Sequence, residues 1–361
     1  MGLPVYKGAD LIAKCLDCLQ RQTFGDFEAI ISVDGGDAET AAACRPFLVD
    51  PRFRMVVHPE RLDWVGNFNW LLQQELRDFF CYRQHDDTTA PEFFEVLLQA
   101  ANRESNAAAI YCDCQYAGGR SDIEIAHSIE GEALERMLLY IAGITAVPVR
   151  GLIRGPAIQQ AGLVRSDEFR SPLQVFVWLA KLLHWGNFRR VAKPLYYRLD
   201  RPNNFSNETF NSPDHRKRAV QTTLFTGLLE AALPLCHTSE QRLFFQQAIF
   251  YKSLRYPTSN EPNSSGKFLA ECLERLKYEG NRRVLSDEEV QELQRRADEI
   301  ELLERSQMRR AIYRIRQGSQ IAGMIYPKSR MRRVIYQIRH LLELIRNKIR
   351  WLWLSGRYNA Q

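Results

Sequence analysis

Ala29-Ile30-Ile31-Ser32-Val33-Asp34-Gly35-Gly36-Asp37 is the stretch that decides the fold. An almost wholly apolar run closed by acids and paired glycines reads as a strand buried on both faces that opens into a turn. Strands of this kind lie inside parallel sheets, and parallel neighbours need a long, usually helical, crossover between them. The flanking sequence supplies both parts. Leu11, Ile12, Cys15 and Leu19 share one face of a helix before the run, and Arg54 to His58, Phe79 to Tyr82 and Ala108 to Cys112 are three more apolar runs after it. Helical stretches lie between them at Trp64 to Leu76 and at Pro91 to Ala101, where proline suits a first helical turn. Strand and helix alternating in this way give an α/β fold, a mostly parallel sheet flanked by helices.

In such sheets ligands bind beyond the carboxyl ends of the strands. Two of these ends carry clustered acids, Asp34 to Asp37 and Asp86-Asp87. Carboxylates gathered at one edge repel each other unless a cation sits between them, and a divalent metal holding a phosphate meets that need. Plainer readings stay open beside this one: Asp and Gly are ordinary turn residues, and Asp86-Asp87 suits the cap of the following helix.

The 361-residue chain is 45% hydrophobic and 25% charged. That composition excludes a disordered or collagen-like protein and allows a large core with appendages. No run of about 18 apolar residues is present, so no helical membrane span is expected. Met1-Gly2-Leu3-Pro4 enters folded-looking sequence directly, so no secretory leader is expected, the first strand is expected to be short, and a cytoplasmic location is expected. Cys15-Leu16-Asp17-Cys18 and Cys112-Asp113-Cys114 lack a second pair at zinc spacing and read as reduced structural thiols.

The sequence divides into an α/β domain over 1–206, a helical extension over 207–280 and a basic helical tail over 281–361. Pro257 to Gly266 is a turn-rich linker, and Ser286 with Glu289 forms a capping box. From Met308 to Gln361 there are 13 Lys/Arg against one acid, Glu343, a local balance of +12. The remaining 36 basic and 42 acidic residues give −6. Apolar residues from Met331 to Leu352 recur by fours and threes, with Trp351 and Trp353 among the last. This pattern fits an amphipathic helix on an anionic membrane surface, reversibly held at the cytoplasmic face. It equally fits a helix in a homodimeric coil or packed on the body. No base-reading module accompanies the charge, so nucleic acid is not an expected partner.

Four stretches together resemble a known family. They are Leu3-Pro4-Val5-Tyr6-Lys7-Gly8 with the helix ending Leu19 to Phe24, Ile30 to Asp37, Arg61 to Asn69, and Gln84-His85-Asp86-Asp87 followed by Pro91-Glu92-Phe93. In order and spacing they are similar to the family 2 glycosyltransferases, which have the GT-A (Rossmann-like) nucleotide-sugar fold. The resemblance implies a hexosyltransferase-type enzyme that moves a sugar from a nucleotide-diphosphate donor to a glycan or lipid-linked acceptor in cell-surface polysaccharide synthesis, with inversion and with Mg2+ or Mn2+.

It also implies roles. Pro4 and Tyr6 border the base, Asp34 accepts hydrogen bonds from base or ribose, Arg61 meets a phosphate, and Asn69 faces the nucleotide. A surface salt bridge is an equal reading for Arg61, and a place in the helix packing for Asn69. Asp86 is the expected metal ligand, with Gln84 standing where the family's first acid would be. Asp200, at the end of the last strand, is a second candidate ligand or else a surface acid paired with Arg198 or Arg201. His85 alternates away from Asp86 and is not expected to bind metal. On the acceptor side, Gln174 occupies the place of the family's acid, and an amide cannot take a proton from a hydroxyl. The base then comes from Asp167 or Glu168, or the mechanism departs from the family pattern. The missing acids leave open a non-catalytic relative that binds nucleotide-sugar or partner proteins.

Overall fold

The computed structural model describes residues 1–74, 77–118, 121–200, 214–239, 241–242, 245–246, 248–249 and 252. The chain divides into two units, Met1–Ala297 and Asp298–Gln361, and all the described residues belong to the first. The expected linker, capping box and basic tail helix lie outside the described residues, as do the expected boundaries at 206 and 280.

Three parallel strands open the chain: β1 (Gly2–Val5), β2 (Ala29–Val33) and β3 (Phe53–Val57), in the order β1-β2-β3. The crossovers carry α1 (Ala9–Gln20) and α2 (Ala38–Cys44). The apolar spacing of α1 buries Ile12, Cys15, Leu16, Cys18 and Leu19 along one stripe. The Cys15 and Cys18 thiols point inward to Gln84 O (3.5 Å) and to Thr89, and all the described cysteines are free thiols.

A second, mixed sheet has the order β4-β8-β6-β9-β5, built from β4 (Phe79–Cys81), β5 (Thr88–Thr89), β6 (Ala107–Gly118), β8 (Leu152–Arg154) and β9 (Asn187–Asp200), with β7 (Ile123–Glu124) beside β6. β6 and β9 run parallel. β8 runs antiparallel to both β4 and β6, and β5 antiparallel to β9. Parallel pairing thus holds throughout the first sheet and between the two long strands β6 and β9 of the second. The antiparallel members are two and three residues long, too short for a periodic signal. β6 continues past its apolar start into Asp113 and Gln115, because Arg190 of β9 pairs with Asp113 (2.6 and 2.7 Å).

The sheets meet at β1 and β4. Gly2 and Tyr82 form a parallel bridge, and Arg83 N–H donates to Gly2 O (2.9 Å). Met1 O and Val5 O accept instead from β2-side residues Ile30 and Asp34. The backbone groups of Gly2 and Pro4 therefore face β4, and Pro4, with no N–H, ends the pairing there. The carboxyl ends of β1, β2 and β4 consequently share one edge.

The helices are α3 (Asp63–Leu72), α4 (Phe93–Arg103), α5 (Ala133–Ala142), α6 (Gly155–Ala161), α7 (Gln174–Leu182) and α8 (Asp214–Ala232). Where α3 and α7 meet the sheet, Phe68 lies edge-on to Phe80, Tyr82 and Trp178, with ring centroids 5.1 to 6.1 Å apart. Gly151, before β8, is required by close approach: a Cβ there would lie 2.1 Å from Ile110 O.

Candidate active site

The first corner is made by the ends of β1 and β2. After Val33 the chain must turn sharply, and Gly35 (φ 63°) and Gly36 (φ 64°) take the left-handed conformation that glycine adopts without steric penalty. Gly36 N–H reaches His58 O (2.7 Å) and Asp34 N–H reaches Val5 O (2.9 Å), so the turn is sewn to both neighbouring strands. Asp37 caps α2, accepting from Thr40 N–H (3.1 Å) and Thr40 Oγ1 (2.6 Å), and it also accepts from Lys7 N–H (2.6 Å). Partial burial favours the neutral form of Asp37, but these donors outweigh it and hold the carboxyl below its ordinary range. Of the two turn acids, Asp37 thus follows the plain turn-and-cap reading.

Asp34 does not. Its side chain is 2% exposed, Oδ1 accepts from Leu62 N–H (2.7 Å), and Oδ2 lies 3.5 Å from Arg61 Nη1. The Arg61 guanidinium carbon stands 3.1 Å from the centroid of the Tyr6 ring, whose other surroundings leave Tyr6 37% exposed. Arg61 Nε donates to Asp63 Oδ1 (3.3 Å), and Asp63 Oδ2 pairs with Arg170. Three non-glycine residues among those described have positive φ: Lys7 (50°), Asp63 (61°) and Arg170 (50°). All three lie on this rim, next to Tyr6, bonded to Arg61 and bonded to Asp63. Non-glycine left-handed residues are a few per cent of positions and gather at functional sites.

The second corner is the turn Gln84-His85-Asp86-Asp87 after β4. The cap reading for these acids is overturned, since β5 intervenes and α4 starts at Phe93 with Glu92 at its cap position. Asp87 is 1% exposed; Oδ2 accepts from Tyr196 Oη (2.8 Å), Oδ1 accepts from Leu199 N–H (3.0 Å), and Arg150 Nε lies 4.0 Å from Oδ2. Burial pushes its carboxyl above the usual range and Asp86 adds to the push, against Arg150 and the hydrogen bonds. Asp86 is the half-buried member of the pair. Gln84 accepts at Oε1 from Arg150 Nη2 (3.4 Å). Beneath them Arg83 is fully buried between the rings of Phe93 (5.0 Å) and Tyr196 (4.8 Å), with none of its guanidinium nitrogens hydrogen-bonded. The corners touch: a Cβ on Gly8, just past β1, would lie 2.7 Å from His85 Cδ2.

Tyr6, Asp34 and Arg61 are therefore brought together, with the Asp86 turn on the same edge. Asp200 joins by main chain, being the next residue after Leu199, which donates to Asp87. Pro4 is buried within β1, paired in register with Ser32. Asn69 is not in this group. Its amide forms a two-way pair with the Val164 backbone (2.8 Å each way), the packing alternative left open above.

Asp167 and Glu168 lie in the loop before α7. Asp167 accepts from Phe169 N–H (3.1 Å) and Ser171 N–H (2.7 Å) at Oδ1, and from Gln174 Nε2 (3.0 Å) and Thr223 Oγ1 (3.3 Å) at Oδ2. Such a carboxylate organises its loop. Glu168 is exposed beside it. Arg150, Tyr196, Asp63 and Arg170 escaped the sequence reading. Arg150 closes an unremarkable Val-Pro-Val-Arg turn, and nothing in its spacing links it to Asp87.

Among the described residues no helix is long and apolar enough to cross a membrane, and no group of three or more His, Cys, Asp or Glu is placed to hold a metal ion.

Residues 2–150 match the sequence model of Glycosyl transferase family 2. EpsH of Bacillus subtilis (strain 168), provisionally named a glycosyltransferase, is 29% identical over 154 residues, 41% of this chain and 42% of its own length. The match thus spans less than half of that relative. The fold is similar to the crystal structure of S. aureus TarS 1-349 in complex with UDP-GlcNAc, at TM-score 0.58 and 14% identity over 76% of this chain and 80% of that one. A second structure of TarS 1-349 gives TM-score 0.55 and 14% identity over 76% and 79%. At these identities the structural likeness establishes the fold.

Proposed function

We propose that this chain, whose residues 2–150 match the sequence model of Glycosyl transferase family 2, transfers a sugar from a nucleotide-diphosphate donor to a glycan or lipid-linked acceptor. The observation that carries the reading is the shared edge: Tyr6, Asp34 and Arg61 at the ends of β1 and β2, and Asp86 at the end of β4, joined through the Gly2–Tyr82 bridge. The UDP-GlcNAc complex of TarS, a protein of similar fold, supports a nucleotide-sugar as donor.

In this reaction the bond from the anomeric carbon to the diphosphate oxygen breaks, and negative charge grows on the leaving diphosphate. Tyr6 and Asp34 hold the nucleoside, and Arg61 offers a guanidinium to the phosphates. Asp87 is consumed by Tyr196, Leu199 and Arg150, so it fixes the turn from which Asp86 projects. Asp86 and Asp200 are the carboxylates that would hold a Mg2+ or Mn2+ ion, a kind of ion commonly bound by one or two carboxylates together with substrate phosphates. Such an ion, when bound, offsets charge on the departing diphosphate. With Gln174 an amide and Asp167 committed to four donors, Glu168 is the carboxylate assigned to take the acceptor's proton, with inversion at the anomeric carbon.

The basic stretch from Met308 to Gln361 supports peripheral attachment to an anionic membrane at its cytoplasmic face, where a lipid-linked acceptor in surface polysaccharide synthesis would be presented. The same stretch also suits pairing of two chains through a coil.

A second reading, a nucleotide-sugar binder without turnover, is favoured by Gln84 and Gln174, both hydrogen-bonded inside the protein where acids are expected. One experiment separates them. Purified protein with Mn2+ and UDP-sugars is assayed for UDP release. Turnover that falls about a hundredfold or more in Asp86→Ala is expected, the scale of losing a main electrostatic contact. Tight UDP binding with no turnover favours the binder, and an unaltered Asp86→Ala enzyme removes Asp86 from the site.

A further inference from the structure

Asp63 holds two guanidinium groups that reach it from different parts of the chain. Its Oδ1 accepts from Arg61 Nε (3.3 Å), and its Oδ2 pairs with Arg170, 107 residues further on in the loop before α7. Both arginines face solvent, Arg61 39% exposed and Arg170 70%. Asp63 opens α3, where an acid also suits the helix dipole. The backbone of Arg170 calls for more than a surface pair. Its φ is 50°, and arginine lacks the short polar side chain that eases aspartate into the left-handed region. An exposed ion pair is worth no more than the strain of one such residue. The loop is nevertheless built to present it. Asp167 takes the Phe169 and Ser171 N–H groups at Oδ1 (3.1 and 2.7 Å) and the Arg170 N–H at its carbonyl (3.0 Å). Main-chain donors on and beside Arg170 are thus spent inside the loop, and its side chain leaves it for Asp63.

Resting on the nucleotide-sugar reading, we propose that Arg170 is a second diphosphate-binding residue, delivered by the acceptor-side loop, and that Asp63 yields both guanidiniums to the donor's phosphates. The carboxylate offers one oxygen to each arginine. A diphosphate offers the same pairing with more oxygens and more charge, and guanidinium forks match phosphate as they match carboxylate. The exchange is easy because the pairs given up are exposed and weak. The anion indicated is the donor's, since Asp63 joins Arg170 to Arg61, which lies 3.1 Å over Tyr6 and 3.5 Å from Asp34. A strained residue at such a rim is one whose conformation serves a ligand. Arg170 sits two residues after Glu168, so its contact with the diphosphate also brings the loop of the assigned base to the donor.

The test is calorimetric binding to the full chain, with Mn2+, of UDP, dTDP and GDP, each beside its own nucleoside. Arg170→Ala should weaken the diphosphate that binds by about tenfold, the low end for a hydrogen bond to a charged group, and leave its nucleoside unchanged. Arg170→Lys, which keeps the charge without the fork, should recover part of the loss. Asp63→Asn removes the competing carboxylate and should tighten the diphosphate by about threefold, the scale of an exposed ion pair. In that background the Arg170→Ala loss should persist.

Unchanged diphosphate affinity in Arg170→Ala overturns the proposal and leaves the donor reading standing. So does an equal loss for nucleoside and diphosphate, which makes Arg170 a support of the pocket. Disappearance of the loss in the Asp63→Asn background shows that Arg170 acts only through Asp63 and overturns the direct contact. An Asp63→Asn protein that binds no more tightly overturns the exchange. Binding of none of the three diphosphates to the unaltered protein fails this proposal and the donor reading together.

Discussion

The two acidic corners of the sheet edge differ in the arginines around their carboxylates: exposed at the first, buried at the second. At the first, Asp34 and Asp37 are held chiefly by main-chain N–H groups of the turns beside them, with exposed arginines arranged around a strained rim. At the second, Asp87 is held by groups far along the chain, the Tyr196 hydroxyl, the Leu199 N–H and the buried Arg150, with Arg83 enclosed beneath. Exposed charge suits a place where a ligand must enter and exchange partners. Buried charge suits a turn that must not move. The contrast predicts that the contacts of Asp87 at the second corner carry stability, holding the turn for Asp86, and that the rim of the first corner carries nucleotide binding.

The largest effect is expected from Arg150→Met. It leaves the Asp87 carboxylate inside the protein without its cation, and breaking a buried pair in this way costs about 3–5 kcal/mol. Chemical denaturation should show a loss of that size. A loss under about 1 kcal/mol, the value of an exposed pair, would mean that the two corners are held alike.

Tyr196→Phe comes next. It removes the 2.8 Å hydrogen bond to Asp87 Oδ2 and leaves the ring that flanks Arg83. Leaving one buried acceptor short of a donor costs about 1–3 kcal/mol. Combining it with Arg150→Met should give less than the sum of the two losses, because both act on the same carboxylate. Simple additivity would show that Arg150 and Tyr196 act independently of Asp87.

The same contrast explains what could be read from the sequence. The Ala29 to Asp37 run carried its strand, its turn and its two acids within nine neighbouring residues, so local pattern sufficed for β2, the turn and the parallel sheet. Tyr6 and Arg61 came from resemblance, and the geometry then placed them on Asp34. The second corner shows in the sequence as Asp86-Asp87 alone. Its holders sit 63 and 109 residues away, and β8, which follows Arg150, is only three residues long. Asp167 was legible as a loop acid, yet its four donors, one of them Thr223 on α8, depend on tertiary packing that spacing does not encode.

The smallest effect sharpens the other half of the comparison. Lys7 holds φ at 50°, its N–H is spent on Asp37, and its ammonium stands 5.4 Å over the Tyr6 ring. A left-handed lysine costs about 1–2 kcal/mol in backbone strain that glycine avoids. Glycine gives part of that back through its freer unfolded chain, roughly 0.5–1 kcal/mol. Lys7→Gly should therefore leave the protein slightly more stable, by about 0.5 kcal/mol. Nucleotide affinity should fall at the same time, because a cation beside the base pocket is gone. Stability and binding moving in opposite directions is the signature of a rim whose strain is kept for its ligand. If Lys7→Gly instead lowers stability and leaves nucleotide affinity unchanged, the left-handed residues at this corner serve the fold, and the division of labour between the two corners fails.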